Sequence, residues 1–305
     1  MIWRLESMSA NGMEGTVLGT LIMPYCSGLG NLVFAILLGM HHGPGSDVMT
    51  NCLVNNVTNL TLIVGLPAIL CNMSIVGGSQ SKNGKSGKKQ SGNVAQLNRL
   101  SLLLTLVAVL FFTGVTWALG RDGRISYDDG LVLVGLFLFW QCFHVYEVMK
   151  TNVQKNRTFG LMLLIDLSLL IVGAYGIYLS TDWLVNWISG IKSGFISAKY
   201  LGWLSGWLMV LPNALLAFYY AWKKQPEVVY TSQVGDGHIC IPLCIGIYAL
   251  YQPLIISHYF TTGVFILCAA AVAHIFYVAF VGKLTRTAGW VLCGTYLWFL
   301  YRSLK

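Results

Sequence analysis

The sequence predicts an all-α integral membrane protein with about nine transmembrane helices arranged as two inverted repeats. Three observations support this prediction: the chain is strongly apolar, its apolar stretches have the length of membrane spans, and distant parts of it match each other. The mean hydropathy is +0.67 and only 10% of the 305 residues are charged, whereas a soluble domain carries about 25% charged residues. A spanning helix needs about 20 apolar residues, and several stretches reach that length.

The positive net charge of +8 is consistent with a membrane protein. Lysine and arginine fall mainly between the apolar stretches, where the positive-inside rule places them on the cytoplasmic side. We therefore expect the lipid bilayer, and not nucleic acid, as the surrounding partner. The eight cysteines lie almost all within apolar stretches and lack metal-site spacing, which is typical of small packing residues.

The nine predicted spans are separated by short polar segments. In chain order they cover residues 17–41, 48–71, 100–119, 130–149, 159–180, 200–221, 231–257, 261–281 and 288–302. Glycine and proline inside a span predict a broken helix, which is tolerated at membrane depth where the freed backbone lines a cavity. We expect such breaks in the first and seventh spans, at Pro24, Gly28 and Gly30 and at Gly235, Gly237, Pro242 and Pro253.

The distribution of positive charge predicts the orientation. The side that holds the N-terminus carries most of the lysines and arginines, so we expect it to be cytoplasmic, with the C-terminus external or lumenal. The sequence does not specify which membrane or which oligomeric state. Residues 77–99 are rich in glycine, serine and lysine and predict a flexible, solvated loop on the cytoplasmic side.

Two segments in different halves of the chain match without gaps. Residues 123–139 read GRISYDDGLVLVGLFLF and residues 282–298 read GKLTRTAGWVLCGTYLW. The shared pairs are Gly123/Gly282, Gly130/Gly289, Val132/Val291, Leu133/Leu292, Gly135/Gly294 and Leu138/Leu297. The polar loop matches as well as the helix, which argues against a chance similarity of two leucine-rich segments. In the predicted topology the two loops lie on opposite sides, which indicates inverted repeats, a typical architecture of secondary transporters.

A weaker match connects earlier parts of the halves. When Asn31 is laid over Asn213, Gly65 falls on Gly246 after one residue of slippage. We expect a first repeat over residues 1–149, a cytoplasmic linker at 150–158 and a second repeat over 159–305. The first repeat then has four helices and the second five, so that the opening helix of the first repeat is missing, either because the chain is short or because it begins downstream of a true start.

These segments resemble the sodium/calcium exchanger (cation/calcium antiporter) superfamily. Its repeats each carry a motif similar to G-T-S-L-P-E, a second block similar to G-N-x-x-G-S-N-I-F-N, and a late motif similar to G-R-I-x-R-x-x-G. The corresponding residues here are 27–31 and 210–213 for the end of the first motif, 51–59 (NCLVNNVTN) and 232–240 (SQVGDGHIC) for the second block, and 123–133 and 282–292 for the late motif. The resemblance implies two inverted repeats that transport cations without a cofactor.

The resemblance also implies a cation site, but the chain departs from the family pattern there. Asn31 and Asn213 occupy the two positions where the family has acidic residues. The nearest carboxylate is Asp236, between two glycines in the second block. We expect a metal site formed by Asp236, Asn31, Asn213, Asn56 and Asn59. Asn55 lies in the same block as Asn56 and Asn59 and is expected to line the pathway, and the weaker candidates are Ser232, Gln233 and His238. A single carboxylate favours a monovalent ion, a proton-coupled cycle or weak binding of a divalent ion, since calcium sites in proteins usually include several carboxylates.

The sequence shows no catalytic constellation, so we do not expect an enzyme. The expected function is a membrane cation antiporter of the sodium/calcium exchanger type, with alternating access, an ion site between the repeats, and calcium, sodium or protons as the transported cations. Two alternatives stay open: a non-transporting membrane scaffold or sensor that keeps the exchanger fold, and a transporter of another solute. The loss of both acidic positions and of a first helix favours the scaffold.

Overall fold

The computed structural model describes residues 23–70, 73–75, 88–154, 161–223 and 226–304, and each of the nine predicted spans contains helix within these ranges. Six of the described helical stretches have the length and hydropathy of a membrane span: Gly45–Leu70, Arg99–Asp122, Ser168–Ser189, Ala198–Trp222, Ser232–Tyr251 and Phe260–Val281. The prediction of an all-α integral membrane protein is confirmed.

The described helices and strands follow one another in this order: α1 (Met23–Met40), α2 (Gly45–Thr58), π1 (Asn59–Ile63), α3 (Val64–Leu70), β1 (Met73–Ser74), α4 (Lys88–Leu119), β2 (Arg124–Ile125), α5 (Tyr127–Gln154), α6 (Leu161–Ser189), α7 (Leu201–Trp222), α8 (Pro226–His238), π2 (Ile239–Cys244), α9 (Ile245–Tyr251), β3 (Leu254–Ile255), α10 (Phe260–Phe276), π3 (Tyr277–Val281), β4 (Lys283–Leu284) and α11 (Arg286–Ser303). The segments π1, π2 and π3 are stretches of wider π-helix.

The first and second spans differ from the sequence prediction. Helix α1 runs without interruption through Gly28 and Gly30, and the break lies instead in the second span, at π1. An added Cβ at Gly30 would lie 3.3 Å from Cγ of Met209. Gly30 therefore serves a close side-chain approach and does not mark a helix end.

Two further segments are more helical than predicted. Helix α4 begins at Lys88, so the second half of the predicted flexible loop 77–99 is helical, while residues 76–87 lie outside the described part of the chain. Helix α5 continues to Gln154 and so includes the first half of the predicted linker 150–158. Both extensions contain lysine and glutamine, which favour helix and can lengthen a span into the aqueous phase.

The two late motifs have the same local structure. Gly123 and Gly282 both adopt a left-handed backbone, with φ of 91° and 70°, and each is followed by a two-residue strand. The hydroxyls of Ser126 and Thr285 then accept hydrogen bonds from the backbone N–H groups of Asp129 and Ala288, at 3.3 and 3.2 Å. Each hydroxyl caps the helix that begins there, and this equivalence supports the repeat alignment made from the sequence.

Each late motif pairs with a segment from the other half of the chain. Strand β2 pairs antiparallel with β3, and β1 pairs antiparallel with β4. The Gly123 carbonyl accepts a hydrogen bond from the Ile256 N–H at 3.0 Å, and the Gly282 carbonyl accepts one from Ile75 at 2.9 Å. The late motif of each half thus forms the same short antiparallel pairing with a segment of the other half.

The matched glycines lie where helices from different halves cross. An added Cβ at Gly130 of α5 would lie 2.9 Å from the Gly246 carbonyl of α9, and one at Gly289 of α11 would lie 2.7 Å from the Gly65 carbonyl of α3. The pairs Gly65/Gly246 and Gly130/Gly289 are those of the sequence alignment. Small residues at such crossings let membrane helices approach closely, and the two crossings are equivalent contacts of the inverted repeats.

The chain forms two compact units, and neither is one of the sequence repeats. Unit 1 contains residues 1–54, 119–209 and 239–257, and unit 2 contains residues 55–118, 210–238 and 258–305. In unit 1, α9 packs on α5 and α1, and α1 also contacts α6 and π2. In unit 2, α11 packs on α3 and π1, and α8 contacts π1. Each unit therefore combines segments from both halves of the chain.

Arg99 anchors the wide turn π3 in unit 2, and its loss is expected to destabilise this unit. Its Nε donates to the Val278 carbonyl at 2.9 Å and its Nη2 donates to the Ala279 carbonyl. Arg99→Met keeps the apolar stem and removes both donors, so we expect the free energy of unfolding to fall by about 2 kcal/mol. Thermal unfolding in detergent measures this change. Arg124→Met is the control, because Arg124 is exposed and its Nε forms only a weak surface ion pair with Asp122, at 3.9 Å. Equal losses of stability from both variants would contradict a special role for Arg99.

Candidate functional site

Two broken helices carry the polar residues of the second block in each half of the chain. The break at π1 follows α2, and the break at π2 follows α8. Within π2, Ile241 is extended (φ −126°, ψ 111°) and Pro242 lacks a backbone N–H, so the regular hydrogen-bond ladder cannot continue there. In π1 the Thr61 hydroxyl donates to the Val57 carbonyl at 2.5 Å. Such π-helical interruptions occur frequently at functional sites.

The polar blocks stand directly before the two breaks. Asn55 and Asn56 lie in the last turn of α2, and Asn59 opens π1. In the second half, Asp236 lies in the last turn of α8, which continues through both flanking glycines, and the break begins only at Ile239. Breaks in this span were expected at Gly235, Gly237, Pro242 and Pro253, and π2 contains Pro242, whereas the helix is continuous through the two glycines.

Unit 2 brings the two blocks into contact. The Nδ2 of Asn56 donates to the Gly237 carbonyl at 3.0 Å, and both residues are buried. An added Cβ at Gly237 would lie 3.1 Å from Val109, so the backbone of α8 approaches its neighbours closely. Because the Asn56 amide nitrogen is occupied by this bond, its Oδ1 is the atom that remains without a partner among the described residues.

Asn213 joins the same unit through its backbone. The Nε2 of Gln233 lies 3.5 Å from the Asn213 carbonyl and donates to the Ser232 hydroxyl at 3.0 Å. Asn213 is only 2% exposed. Unit 2 therefore contains four of the five predicted site residues: Asn56, Asn59, Asn213 and Asp236. The backbone of Asp236 is placed in α8, while its side chain lies outside the described part of the structure.

Asn31 belongs to unit 1. Its side chain is fully buried, and neither amide atom has a hydrogen-bond partner among the residues that the structure describes. A buried amide without partners is costly at membrane depth, because hydrocarbon offers no compensating hydrogen bond. Such a residue is a reasonable candidate for binding a ligand that supplies the missing interactions.

Asn51 is a polar residue of unit 1 that the predicted site did not include. Its Nδ2 donates to the Ser205 hydroxyl at 3.0 Å and lies 3.4 Å from Sδ of Met209, and Met209 is also the residue that faces Gly30. Its Oδ1 has no partner among the described residues. The sequence contains a signal for it, because Asn51 aligns with Ser232 at the start of the second block.

The described donors can hold a hard cation but contribute no charge. Amide oxygens are ligands for sodium and calcium, and calcium sites usually add carboxylates. Asn31, Asn56, Asn59 and Asn213 are all neutral, so Asp236 is the one acidic residue in the predicted set. Among the residues that the structure describes, no cluster of three His, Cys, Asp or Glu side chains could hold a resident metal ion.

Comparison with known proteins gives a family model and similar structures. The model described as "Sodium/calcium exchanger protein" matches residues 1–146 and 165–305. The sodium-calcium exchanger NCX_Mj, soaked with 2.5 mM Na⁺ and 10 mM Sr²⁺, has a TM-score of 0.65 and 19% identity, over 99% of this chain and 92% of that chain. The same exchanger soaked with zero Na⁺ and Ca²⁺ gives 0.64 and 19%, over 99% and 91%. At this identity the similarity is one of fold. Comparison with curated proteins gives no match.

Proposed function

Because the chain belongs to the sodium/calcium exchanger family, whose members are cation antiporters and not enzymes, we propose that it exchanges cations across its membrane by alternating access. In unit 2, the carboxylate of Asp236 and amide oxygens of Asn56, Asn59 and Asn213 bind the ion. In unit 1, the buried amide of Asn31 is a further proposed cation ligand. No cofactor takes part. An opposing ion gradient drives the exchange, as in other secondary transporters with inverted repeats.

The observation that supports this proposal best is the contact between the two polar blocks. Asn56 of the first half donates to the Gly237 carbonyl of the second half at 3.0 Å. This bond fixes which amide atom of Asn56 is free to accept a cation, and it ties the Asn56 backbone segment to the residue next to Asp236. Both partners stand directly before a helix break, where irregular backbone is typical of transporter binding sites.

The composition of the proposed site favours a low ion charge. The proposed ligands of unit 2, three neutral amides and one carboxylate, compensate a monovalent cation fully and a divalent cation only in part. The similar structures were soaked with Na⁺, Ca²⁺ or Sr²⁺, so these ions are the first to test. We expect sodium ions or protons to occupy this site in preference to calcium.

The deciding experiment measures ion flux in proteoliposomes of the purified protein with an imposed gradient. Asp236→Asn should abolish exchange, because it removes the only carboxylate of the proposed site while keeping its size. Asp166→Asn is the matched control, since it makes the same change in α6, outside the polar blocks, and should leave exchange within about twofold of the unchanged protein. Exchange that survives Asp236→Asn would overturn the proposed site.

A second candidate function is a membrane scaffold or sensor that keeps the fold without transporting. The observation that favours it is the presence of Asn31 and Asn213 where the family has acidic residues. In that case well-folded protein would carry no flux of sodium, calcium or protons at any gradient. Flux of a different solute, with no cation exchange, would instead support a remodelled transporter.

We also propose that the N-terminus faces the cytoplasm and the C-terminus faces the outside or a lumen. The positive charges of the polar segments support this orientation. A reporter fused to either terminus, active on only one side of the membrane, distinguishes the two orientations.

A further inference from the structure

A buried hydrogen-bonded chain of three residues connects different elements of unit 2. The Tyr230 hydroxyl lies 2.5 Å from Nδ1 of His274, and Nε2 of the same ring lies 2.7 Å from the Leu60 carbonyl. Tyr230 lies in α8, His274 in α10, and Leu60 in the break π1. All three residues are fully buried.

The partners determine which ring nitrogen carries the proton. A backbone carbonyl can only accept, so Nε2 of His274 must donate to Leu60. In the neutral imidazole Nδ1 is then the acceptor, and it receives the Tyr230 hydroxyl proton. The chain of donors therefore runs from Tyr230 through His274 to the Leu60 carbonyl, and every polar group in it is satisfied. Networks of this kind are rigid when they are complete.

The Leu60 end of this hydrogen-bonded series lies next to the proposed cation ligands in the sequence. Leu60 follows Asn59 directly and is four residues beyond Asn56. Tyr230 precedes Asp236 by less than two turns of the same helix. His274 therefore connects the broken part of the first block to the helix that carries the second block.

We propose that His274 is a positioning residue for cation binding: its Nε2–H holds the Leu60 carbonyl and thereby fixes the break that presents Asn56 and Asn59, while Tyr230 fixes the ring. This inference rests on the proposed cation site and extends it to residues that do not contact the ion. Orientation of ligands by an outer layer of hydrogen bonds is common at metal sites, where its loss typically weakens binding about 10-fold to 100-fold.

Three substitutions of His274 separate positioning from simple packing. Glutamine places an amide N–H near the position of Nε2, so His274→Gln should keep the bond to Leu60. Asparagine reaches only the position of Nδ1, and leucine fills similar space without any donor, so His274→Asn and His274→Leu lose that bond. Tyr230→Phe removes only the first bond of the chain and should have an intermediate effect.

The first measurement is the cation concentration for half-maximal exchange in proteoliposomes. We expect His274→Gln to stay within about twofold of the unchanged protein, Tyr230→Phe to raise this concentration about threefold, and His274→Asn and His274→Leu to raise it about tenfold or more. Leu267→Ala is the control, because Leu267 is fully buried two turns earlier in α10 and its truncation destabilises without removing a hydrogen bond. If Leu267→Ala shifts the half-maximal concentration as much as His274→Leu at a similar loss of thermal stability, His274 has only a structural role.

The second measurement does not depend on transport. Amide hydrogen exchange, followed by mass spectrometry, should become faster over residues 59–64 in His274→Leu and should stay unchanged in His274→Gln. Protected exchange in His274→Leu would overturn the inference even if the protein transports cations. Faster exchange in a protein that carries no flux would instead retain the anchoring of π1 by His274 and reject the proposed antiport.

Discussion

Replacing Gly289 by alanine is expected to prevent stable folding of unit 2. The new Cβ would lie 2.7 Å from the Gly65 carbonyl, 2.9 Å from Cγ1 of Ile69 and 3.1 Å from its backbone nitrogen. Two of these three atoms belong to backbone, which cannot move aside as a flexible side chain can. Overpacking in a close-packed interior costs typically about 1–3 kcal/mol and sometimes more, and here the whole contact of α11 with α3 must widen. We expect a large loss of monodisperse protein in size-exclusion chromatography and a strongly lowered melting temperature.

The same helix provides the control. Gly294 lies on an exposed face of α11, and nothing lies within 4 Å of a Cβ added there. Gly294→Ala should be neutral or stabilising, because alanine favours helix over glycine by up to about 1 kcal/mol. The repeat provides a second comparison, with Gly130→Ala harmful and Gly135→Ala tolerated in α5. Equal behaviour of Gly289→Ala and Gly294→Ala would show that the crossing is not as close as described.

The second large effect is expected at Gly202, near the start of α7 in unit 1. A Cβ at this position would lie 2.6 Å from the Asp47 carbonyl, 2.7 Å from Cβ of Thr50 and 2.9 Å from Cα of Asp47. The Gly202 N–H also faces the Asp47 carboxylate, with 3.3 Å between nitrogen and Oδ1. Alanine would push the start of α7 away from α2 and lose this bond as well. We expect Gly202→Ala to destabilise the protein by about 3 kcal/mol or more.

Thermal unfolding in detergent, of protein extracted from the membrane fraction, measures the effect at Gly202. Gly176→Ala in α6 is the matched substitution, because Gly176 is exposed and has no neighbour within 4 Å of an added Cβ. A melting temperature of Gly202→Ala equal to that of Gly176→Ala would contradict the close approach of α7 and α2. A further loss on adding Asp47→Asn to Gly202→Ala would show that the carboxylate still contributes after the shift.

The repeat alignment identified the glycines that lie at the helix crossings, although it did not predict which helices cross there. Gly130 and Gly289 were found as a matched pair because a repeat preserves small residues wherever two backbones meet. The position of the first break could not be predicted in the same way. In the sequence Gly30 is typical of a helix interruption. In the structure the side chain of Met209, almost 180 positions later, packs against it. The sequence alone does not distinguish a glycine that interrupts a helix from a glycine that allows a close contact.

The candidate site stays a prediction, and the sequence could not give the partners of its residues for a related reason. Polarity inside an apolar stretch identifies a residue that needs partners, and this was enough to single out Asn31, Asn56 and Asn59. Which partners they have depends on the fold. Asn56 uses its amide nitrogen for a backbone carbonyl 181 residues away, and Asn51 uses its own for Ser205. His274 was not among the predicted site residues, because neither Tyr230 nor Leu60 is near it in the chain.

Each unit is built from segments of both halves of the chain, and this has a consequence for biogenesis. Unit 1 requires residues up to 257 and unit 2 requires the chain to its end, while both begin in the first half. The first helices therefore enter the membrane long before the strands and glycine faces that complete them have been synthesised. During that interval the nascent first half exposes incomplete contacts, such as the Gly123 carbonyl that later accepts from Ile256. A ribosome released in the middle of the message would leave two unfinished units and no finished one, so this protein depends on translation running to completion more than a protein of sequential domains does.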